Sequence, residues 1–394
     1  MHKNFIKLFF IFSLLWGIGY PETFRYPLYI SIAPLVLITS NKFKDFRLIE
    51  FKKYFLNLKN DFKIPHLFIF YILVVLYFFS WAKYSLIYSS CLLTFIFLFR
   101  TIVNFEDIEE NDWIYEASLI TIFIAGLSLP FVGSFSEIVR ASNGLYPEPS
   151  HLGFSLGPVL GLLTKRKQYR IYGIFGILYF SLFSFSRSLI VSYFFTLLLP
   201  KKISNKFKSH HFAIFLILVF TFIYLTKALL LLGLENLDTN QIDPIWGSSI
   251  VWFYRLKQSL NIFLTNPIGL GPFGWLTNEV ELTTRFLPEC DYEVICKYSG
   301  EFLTSLNQRD LASLNSFGIA SFGIFYPYFL FLILNNICIK TIKISEKYYE
   351  LDPISILLIS YIFIYMLRWT GFTAGPFLGL FCLLPKKEKE KYKK

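Results

Sequence analysis

Charged side chains are scarce in this sequence: they make up 16% of its 394 residues, whereas hydrophobic residues make up 55% and aromatic residues 20%. So few charges exclude an ordinary soluble enzyme, and no stretch has the composition of a soluble catalytic domain. Sequence repeats and low-complexity segments are also absent. Together with a mean hydropathy of +0.52, these absences indicate an integral membrane protein.

Histidine and cysteine are rare, with five residues of each. No histidine lies in the long segment 234–313, although Cys290 and Cys296 both do. A metal ion needs more ligands than this segment offers, so the sequence predicts no metal site and no cofactor. If the segment lies on the oxidising side of a membrane, the two cysteines are predicted instead to form a local disulfide. The cysteines interpreted as packing residues within apolar segments are Cys91, Cys338 and Cys382.

Long apolar segments make up most of the rest of the chain. Runs of about 18 to 20 apolar residues are typical of membrane-spanning helices, which satisfy their backbone hydrogen bonds internally. The sequence therefore predicts an all-α polytopic membrane protein with about twelve transmembrane helices, in a single membrane domain over residues 1–394. The predicted spans are 4–20, 24–40, 65–82, 85–103, 113–130, 151–164, 170–184, 188–200, 211–233, 314–339, 353–368 and 370–385.

Basic residues set the predicted orientation of these spans. The net charge is +11, but the lysines cluster in short loops, so positive-inside topology explains them better than nucleic-acid binding. An even number of spans places both termini on the same side of the membrane. The basic loops on that side identify it as the cytoplasmic side. Residues 1–20 are predicted to stay as the first span, because no small-residue cleavage site follows them. The protein is thus predicted to be a multi-pass membrane protein. The basic cytoplasmic segments are 42–63, 165–170, 201–208, 340–347 and the tail 386–394.

Two segments on the opposite, periplasmic side are longer than simple turns. Residues 131–150 form a short loop, and residues 234–313 are long enough to contain small helices of their own and to act as a lid. Within the second segment, residues 249–265 resemble a helix lying at the membrane surface. The glycine- and proline-rich run 266–274 that follows predicts a rigid turn where the backbone approaches another group closely.

The stretch from Arg140 to Gly153 concentrates polar groups between apolar segments. Its two prolines and its charges do not suit an ordinary span, so a structured loop or re-entrant turn is predicted at a membrane face. Glu148 lies between the prolines, and its carboxylate is either aimed at a ligand or paired with Arg140 as a structural clamp. Ser150 is predicted to cap a following helix. His151, in the first turn, is either a proton carrier or an interfacial polar residue.

Arginine is concentrated where topology disfavours charge. The basic residues of the predicted cytoplasmic side are mainly lysines, whereas those of the periplasmic side are mainly arginines. Arg187 lies between two apolar runs, so it is predicted to be buried near a helical hairpin tip and to need a partner. Guanidinium groups bind phosphate through paired hydrogen bonds, which makes a diphosphate the simplest ligand for Arg140, Arg187 and Arg255. The arginines interpreted as membrane anchors or solvated charges are Arg25, Arg285, Arg309 and Arg368.

Four of these features resemble the bacterial O-antigen polymerase and ligase superfamily. They are the stretch 140–153, the Ser-Arg-Ser at 186–188, the arginine-led helix and turn at 255–274, and the Ser-Leu-Asn-Ser-Phe-Gly at 313–318. The resemblance covers roughly residues 113–340 and implies a GT-C-like helical membrane fold in the bacterial inner membrane. Ligases resemble one another in carrying a histidine before the asparagine of the last motif. Here Leu314 precedes Asn315, which favours a polymerase.

The reaction implied by this resemblance transfers a growing glycan from undecaprenyl diphosphate to the non-reducing end of another lipid-linked repeat unit. The product would be O-antigen or a related surface polysaccharide. Arg140, Arg187 and Arg255 would stabilise the charge on the diphosphate leaving group. Glu148, or else His151, would act as the base in an inverting displacement. The residues assigned to the substrate-binding loop and its surroundings are Asn266, Gly269, Gly271 and Asn315.

Partners and alternatives follow from the same resemblance. The implied partners are lipid-linked glycan substrates, membrane lipid and a separate chain-length regulator, with no nucleic acid. A ligase and another polyprenyl-linked glycan transferase stay open as alternatives. A transporter for an anionic lipid-linked sugar is a third, although a transporter is expected to carry polar groups along a path through many spans. In this sequence such groups cluster at one predicted membrane face.

Overall fold

The computed structural model is mostly helical in the part of the chain that it describes. The described residues are 7, 8, 10, 11, 13–15, 112–130, 144–146, 149–200, 202–204, 210–219, 262–269, 318–320, 322–341 and 348–368. In chain order, the elements with both ends defined are α1 Asp112–Ser128, α2 Pro149–Lys165, α3 Arg170–Ser184, α4 Arg187–Leu198, β1 Lys202–Ser204, a 3₁₀ turn Gly323–Phe325, α5 Tyr326–Thr341, β2 Tyr348–Glu350 and α6 Pro353–Arg368. Residues 210–219 are also helical.

Several predicted spans coincide with these helices. Spans 170–184 and 353–368 match α3 and α6 residue for residue, and spans 113–130, 151–164 and 188–200 match α1, α2 and α4 within two residues. In the described part of the chain, none of the helices combines the length and the apolarity needed to cross a membrane. The predicted spans that lie outside the described residues are 24–40, 65–82, 85–103 and 370–385.

Helix α2 lies at the centre of the described structure. Every residue from His151 to Leu163 is buried, so no face of the helix is left to solvent. Its neighbours are α4, α3, α6 and α1, and α4 makes the most extensive contact. A helix surrounded in this way needs apolar or small residues on all of its faces, and the α2 sequence PSHLGFSLGPVLGLLTK supplies them.

The contact between α2 and α4 is formed by residues with small side chains. Small residues recur every four positions, so each set lies along one helix face. A methyl group added at Gly157 would overlap the Ser192 side chain, which shows how closely the two backbones approach. The helices run parallel, since the first glycine faces the first serine and the last glycine faces the threonine. The facing sets are Gly153, Gly157 and Gly161 on α2 and Ser188, Ser192 and Thr196 on α4.

Helix α3 connects these two parallel helices by running in the opposite direction, and its ends are tight turns. Only Phe185 and Ser186 separate α3 from α4, and Phe185 adopts a left-handed backbone with φ 47°. Gly173 and Gly176 face α2, while most of the remaining surface of α3 is exposed. No charged residue occurs between positions 171 and 186. The large exposed side chains of α3 are Ile171, Tyr172, Ile174, Phe175, Leu178, Tyr179, Leu182 and Phe183.

Helix α6 packs against α2 and α4 and is buried from Pro353 to Met366. Asp followed by Pro is a typical helix start, because Asp suits the N-cap and Pro suits the first helical position. The backbone carbonyl of Asp352 accepts the first helical hydrogen bond, from Ile356 N at 3.0 Å. Deeper in the bundle, Thr196 Oγ1 on α4 donates to Ser360 Oγ at 2.9 Å.

A short antiparallel strand pair was not expected in an all-α chain. Lys202 is paired with Glu350 and Ser204 with Tyr348, so β1 and β2 join the chain after α4 to the chain before α6. Polar contacts lie at the same end of the bundle. Lys165, the last residue of α2, donates to the carbonyl oxygens of Leu197, at 3.0 Å, and Leu199. These bonds satisfy carbonyl groups at the end of α4, where the helix itself provides no hydrogen-bond donors.

The predicted span 314–339 is not a single continuous helix. The 3₁₀ turn Gly323–Phe325 interrupts it before α5 begins. Gly323 has φ +52°, and a side chain there would overlap the carbonyl of Pro267. Ile324 N donates to that same carbonyl at 2.9 Å. The interruption therefore forms where the distant 266–269 turn packs against this segment.

Candidate functional site at the N-termini of α2 and α4

The first turns of α2 and α4 lie side by side because the helices are parallel. Ser188 Oγ donates to the backbone carbonyl of Ser150 at 3.0 Å, which joins the two turns directly. Ser186 Oγ lies 2.7 Å from Ser188 Oγ. A hydroxyl has one hydrogen, and Ser188 gives its own to Ser150, so Ser186 is the donor in this second bond. We call the residues 149–153 and 186–189 the paired N-termini.

Arg187 is the first residue of α4, at the tip of the hairpin formed with α3. The prediction of a position near a hairpin tip is confirmed, but the predicted burial is wrong because the Arg187 side chain is exposed. Helix geometry gives the reason. The face that carries Ser188 and Ser192 is turned to α2, and Arg187 is one position earlier, about 100° around the helix axis. Arg187 therefore does not need a buried partner.

The N-cap of α4 is unusual. Ser186 has the extended backbone of an N-cap residue, with φ −82° and ψ 111°, yet its side chain makes no capping hydrogen bond. Its hydroxyl contacts Ser188 instead. Serine normally accepts from a backbone amide of the first turn in this position. The first-turn amides of α4 are therefore not bonded by the side chain that would ordinarily cap them, although Leu189 N donates to the backbone carbonyl of Ser186 at 3.2 Å.

The start of α2 differs by one residue from the prediction. The helix begins at Pro149, which is well suited to the first helical position, so Ser150 is the second residue and not the cap. His151 lies in the first turn, as predicted. It is 5% exposed, so it is packed inside the bundle, and both predicted roles of His151 stay predictions.

Tyr146 anchors the short chain segment that precedes α2. Its ring is buried, and its hydroxyl donates to the carbonyl of Leu14 at 3.3 Å. Burial raises the pKa of the Tyr146 phenol, so the hydroxyl keeps its proton and remains a donor. The neighbouring residue attaches the same segment to α1, since Leu145 N donates to Ser128 Oγ at 3.2 Å. Gly144, with φ +56°, allows the chain to turn into these two attachments.

Helix α6 supports α2 one turn below His151. Tyr361 is fully buried and donates to the carbonyl of Ser155 at 2.6 Å. The Tyr361 and Tyr365 rings stack on α6 with centroids 5.8 Å apart. The donor and acceptor of the Tyr361 bond are 206 positions apart, so this support comes entirely from tertiary structure.

Asn266 and Gly269 lie in a turn. Gly269 N donates to the carbonyl of Asn266 at 2.8 Å, and Gly269 has φ 88°. A turn with close backbone approach, as the sequence predicted, is present over residues 266–269, where Pro267 packs against Gly323; residues 270–274 of the predicted run lie outside the described part of the chain. The described contacts of this turn run to the 3₁₀ segment rather than to the paired N-termini.

Other predicted site residues fall outside the described part of the chain, so their predictions stay untested. They are Arg140, Glu148, Arg255, Gly271, Cys290, Cys296 and Asn315. Among the residues that the structure describes, no cluster of three or more His, Cys, Asp or Glu side chains could hold a metal ion.

The paired N-termini favour a negatively charged group chemically. Each helix N-terminus carries a partial positive charge, and parallel helices add these charges at one end. No acidic residue occurs in the first turn of either α2 or α4, and the exposed Arg187 adds a full positive charge. A phosphate group placed here would meet backbone amides and a guanidinium together.

Sequence reasoning missed the residues that assemble this end of the bundle. The four-residue spacing of Gly153, Gly157 and Gly161 was visible and is typical of close helix packing in membranes. Tyr146 and Tyr361 carried no local signal, because their partners are distant in sequence. Comparisons with protein families, curated proteins and solved structures found no match for this chain.

Proposed function

We propose that this protein is a multi-pass glycosyltransferase of the bacterial inner membrane that polymerises undecaprenyl-diphosphate-linked repeat units on the periplasmic face. The observation that carries the proposal is the 3.0 Å hydrogen bond from Ser188 to Ser150. Ser188 ends the Ser-Arg-Ser motif at 186–188, and Ser150 belongs to the polar stretch 140–153. Two of the motifs that resemble the O-antigen polymerases are therefore in direct contact, as residues of one site would be.

A membrane location is supported by the surface of α3. After Arg170, its first residue, its exposed side chains are aliphatic or aromatic, and no charge interrupts them before Arg187. A 15-residue helix is about 22 Å long, so this apolar surface extends over much of the thickness of a bilayer core. Lipid chains are the partner that such a surface fits best.

The orientation is supported by the charges at the two ends of α2. The C-terminal end carries Lys165 and Arg166, and α3 begins there with Arg170. Basic residues mark the cytoplasmic end of membrane helices. The paired N-termini lie at the opposite end of α2, which is the periplasmic end in this proposal.

The chemistry proposed for this end follows from its charges. Arg187 and the first-turn amides would stabilise the negative charge that develops on the diphosphate as the glycosidic bond breaks. Glu148, or else His151, would accept the proton of the acceptor sugar hydroxyl. Arg140 and Arg255 would complete the diphosphate site, and the 234–313 segment would cover it.

The experiment compares surface polysaccharide from cells that lack the protein and from cells complemented with variants. Wild type is expected to restore a ladder of polymer, whereas Arg187→Ala is expected to leave mainly single repeat units on the lipid core. Loss of one charge-stabilising group in a site of this kind typically lowers the rate about 100-fold or more. Arg170→Ala is the matched control, because Arg170 is also an exposed first residue of a helix but lies at the other end of the bundle.

The null strain separates the alternatives. Accumulation of lipid-linked polymer with no attached repeat would identify a ligase instead of a polymerase. Failure to export repeat units would identify a transporter. A full ladder of polymer in cells with Arg187→Ala would show that Arg187 does not belong to the proposed site.

A further inference from the structure

We infer that Ser188 is a positioning residue for the diphosphate site, acting through Arg187 without touching substrate. The inference rests on the proposed function, because it assigns a role within the same site. Its basis is the hydroxyl chain that runs from Ser186 to Ser188 and on to the carbonyl of Ser150, with distances of 2.7 and 3.0 Å. Successive hydrogen bonds of this kind strengthen one another.

Ser188 differs from the hydroxyl residues that donate to a carbonyl of their own helix, although Ser192, one turn later, also contacts a carbonyl of α2. Such residues commonly bond to a carbonyl one turn earlier in their own helix. Ser184, Thr164 and Ser360 do this, with distances of 2.7, 2.9 and 2.7 Å. Ser188 lies in the first turn of α4 and directs its hydrogen to α2 instead. Its hydroxyl therefore fixes one helix relative to another.

The neighbouring backbone makes this attachment effective for Arg187. Arg187 immediately precedes Ser188 in the chain. The two residues before Arg187 form the turn from α3, with Phe185 in a left-handed conformation. The first turn of a helix otherwise has few internal hydrogen bonds and frays readily. Holding Ser188 on α2 therefore limits the positions from which the Arg187 side chain can reach a ligand.

Gly153 provides the space for this arrangement. A methyl group at Gly153 would overlap the hydroxyls of Ser186 and Ser188 and would approach Leu189 N at 2.5 Å. Gly153→Ala is therefore a second variant that disturbs the same contact from the side of α2. It does so without removing a hydroxyl.

The test measures binding of undecaprenyl diphosphate to the full-length protein in phospholipid nanodiscs. Ser188→Ala is expected to weaken binding about fivefold, as for loss of one hydrogen bond. In an Arg187→Ala background, Ser188→Ala is expected to have no further effect, because its role depends on Arg187. Gly153→Ala is expected to weaken binding in the same Arg187-dependent way.

Ser360→Ala is the matched control. It also removes a hydroxyl from a hydrogen bond between helices, the one from Thr196, but far from the paired N-termini. It is expected to leave binding unchanged. Equal loss of binding with Ser360→Ala would indicate general destabilisation and overturn the positioning role. Additive losses for Ser188→Ala and Arg187→Ala would also overturn it, because Ser188 would then act independently of Arg187.

Failure of the inference and failure of the proposed function are distinguishable. If Arg187→Ala weakens binding while Ser188→Ala does not, the positioning role is wrong and the diphosphate site stands. If wild type does not bind undecaprenyl diphosphate, or Arg187→Ala binds it as well as wild type does, the diphosphate site and the positioning role are both overturned.

Discussion

Gly157 and Ser192 face each other so closely that a methyl group on Gly157 would overlap the Ser192 side chain. Ser192 Oγ also lies 3.0 Å from the carbonyl of Gly153, so it contacts the backbone of α2 directly. Close packing and hydrogen bonding thus coincide at the middle of the α2–α4 contact. Both depend on the absence of a side chain on α2.

Gly157→Ala is therefore expected to destabilise the protein, because the added methyl group has to push α4 away. Overpacking of this kind typically costs about 1–3 kcal/mol. Thermal unfolding in detergent is the measurement, and a lower midpoint is the expected result. Gly126→Ala is the matched control, since a methyl group there meets only ordinary contacts at 3.6 and 3.8 Å, to Tyr179 and Phe180. An equal loss in both variants would contradict the prediction.

Tyr361→Phe removes the hydroxyl that bonds to the Ser155 carbonyl at 2.6 Å. Loss of a buried hydrogen bond is expected to lower stability by about 1–2 kcal/mol, because the carbonyl loses this partner. Tyr172→Phe, in which the changed ring is exposed on α3, is expected to have little effect. Thermal unfolding of the two variants side by side checks this, and unchanged stability of Tyr361→Phe would contradict it.

Asp352→Asn is expected to make stability less dependent on pH. Burial raises the pKa of the Asp352 carboxyl from 3.8 to about 7, and the Ile354 backbone amide opposes this shift. The folded protein therefore binds a proton more tightly than the unfolded chain, so wild-type stability falls as pH rises from about 4 to about 7. Asn caps a helix as well as Asp does, so the change mainly removes the ionisation.

The measurement for Asp352 is the unfolding midpoint of both proteins at about pH 5 and about pH 8, on either side of the raised pKa. Asp352→Asn is expected to be the more stable of the two at the higher pH, with a smaller difference at the lower pH. The same difference at both pH values would show that ionisation of Asp352 is not responsible.

Local sequence signals predicted helix positions well. The apolar runs 170–184 and 353–368 have the same bounds as α3 and α6. The predicted cap at Ser150 was wrong because Pro149 is itself suited to the first helical position. The predicted burial of Arg187 was wrong because apolar neighbours in sequence do not fix which side of a helix faces the bundle.

Long-range contacts could not be predicted from one sequence. The 3₁₀ turn at Gly323 forms against Pro267, which lies far earlier in the chain, so the apolar run 314–339 gave no sign of an interruption. The bond from Tyr361 to Ser155 is of the same kind. The chemical roles of Arg140, Glu148 and Arg255 stay predictions, since these residues lie outside the described part of the chain.

The two-residue turn between α3 and α4 makes this part of the gene intolerant of insertions and deletions. One residue added after Arg187, inside α4, would rotate the rest of the helix by about 100° around its axis relative to the turn. Ser188, Ser192 and Thr196 would then face away from the α2 glycines, and bulkier side chains would replace them. Length variation among natural variants of this protein is therefore expected to spare residues 184–187, while exchanges of one apolar residue for another on the exposed face of α3 are tolerated.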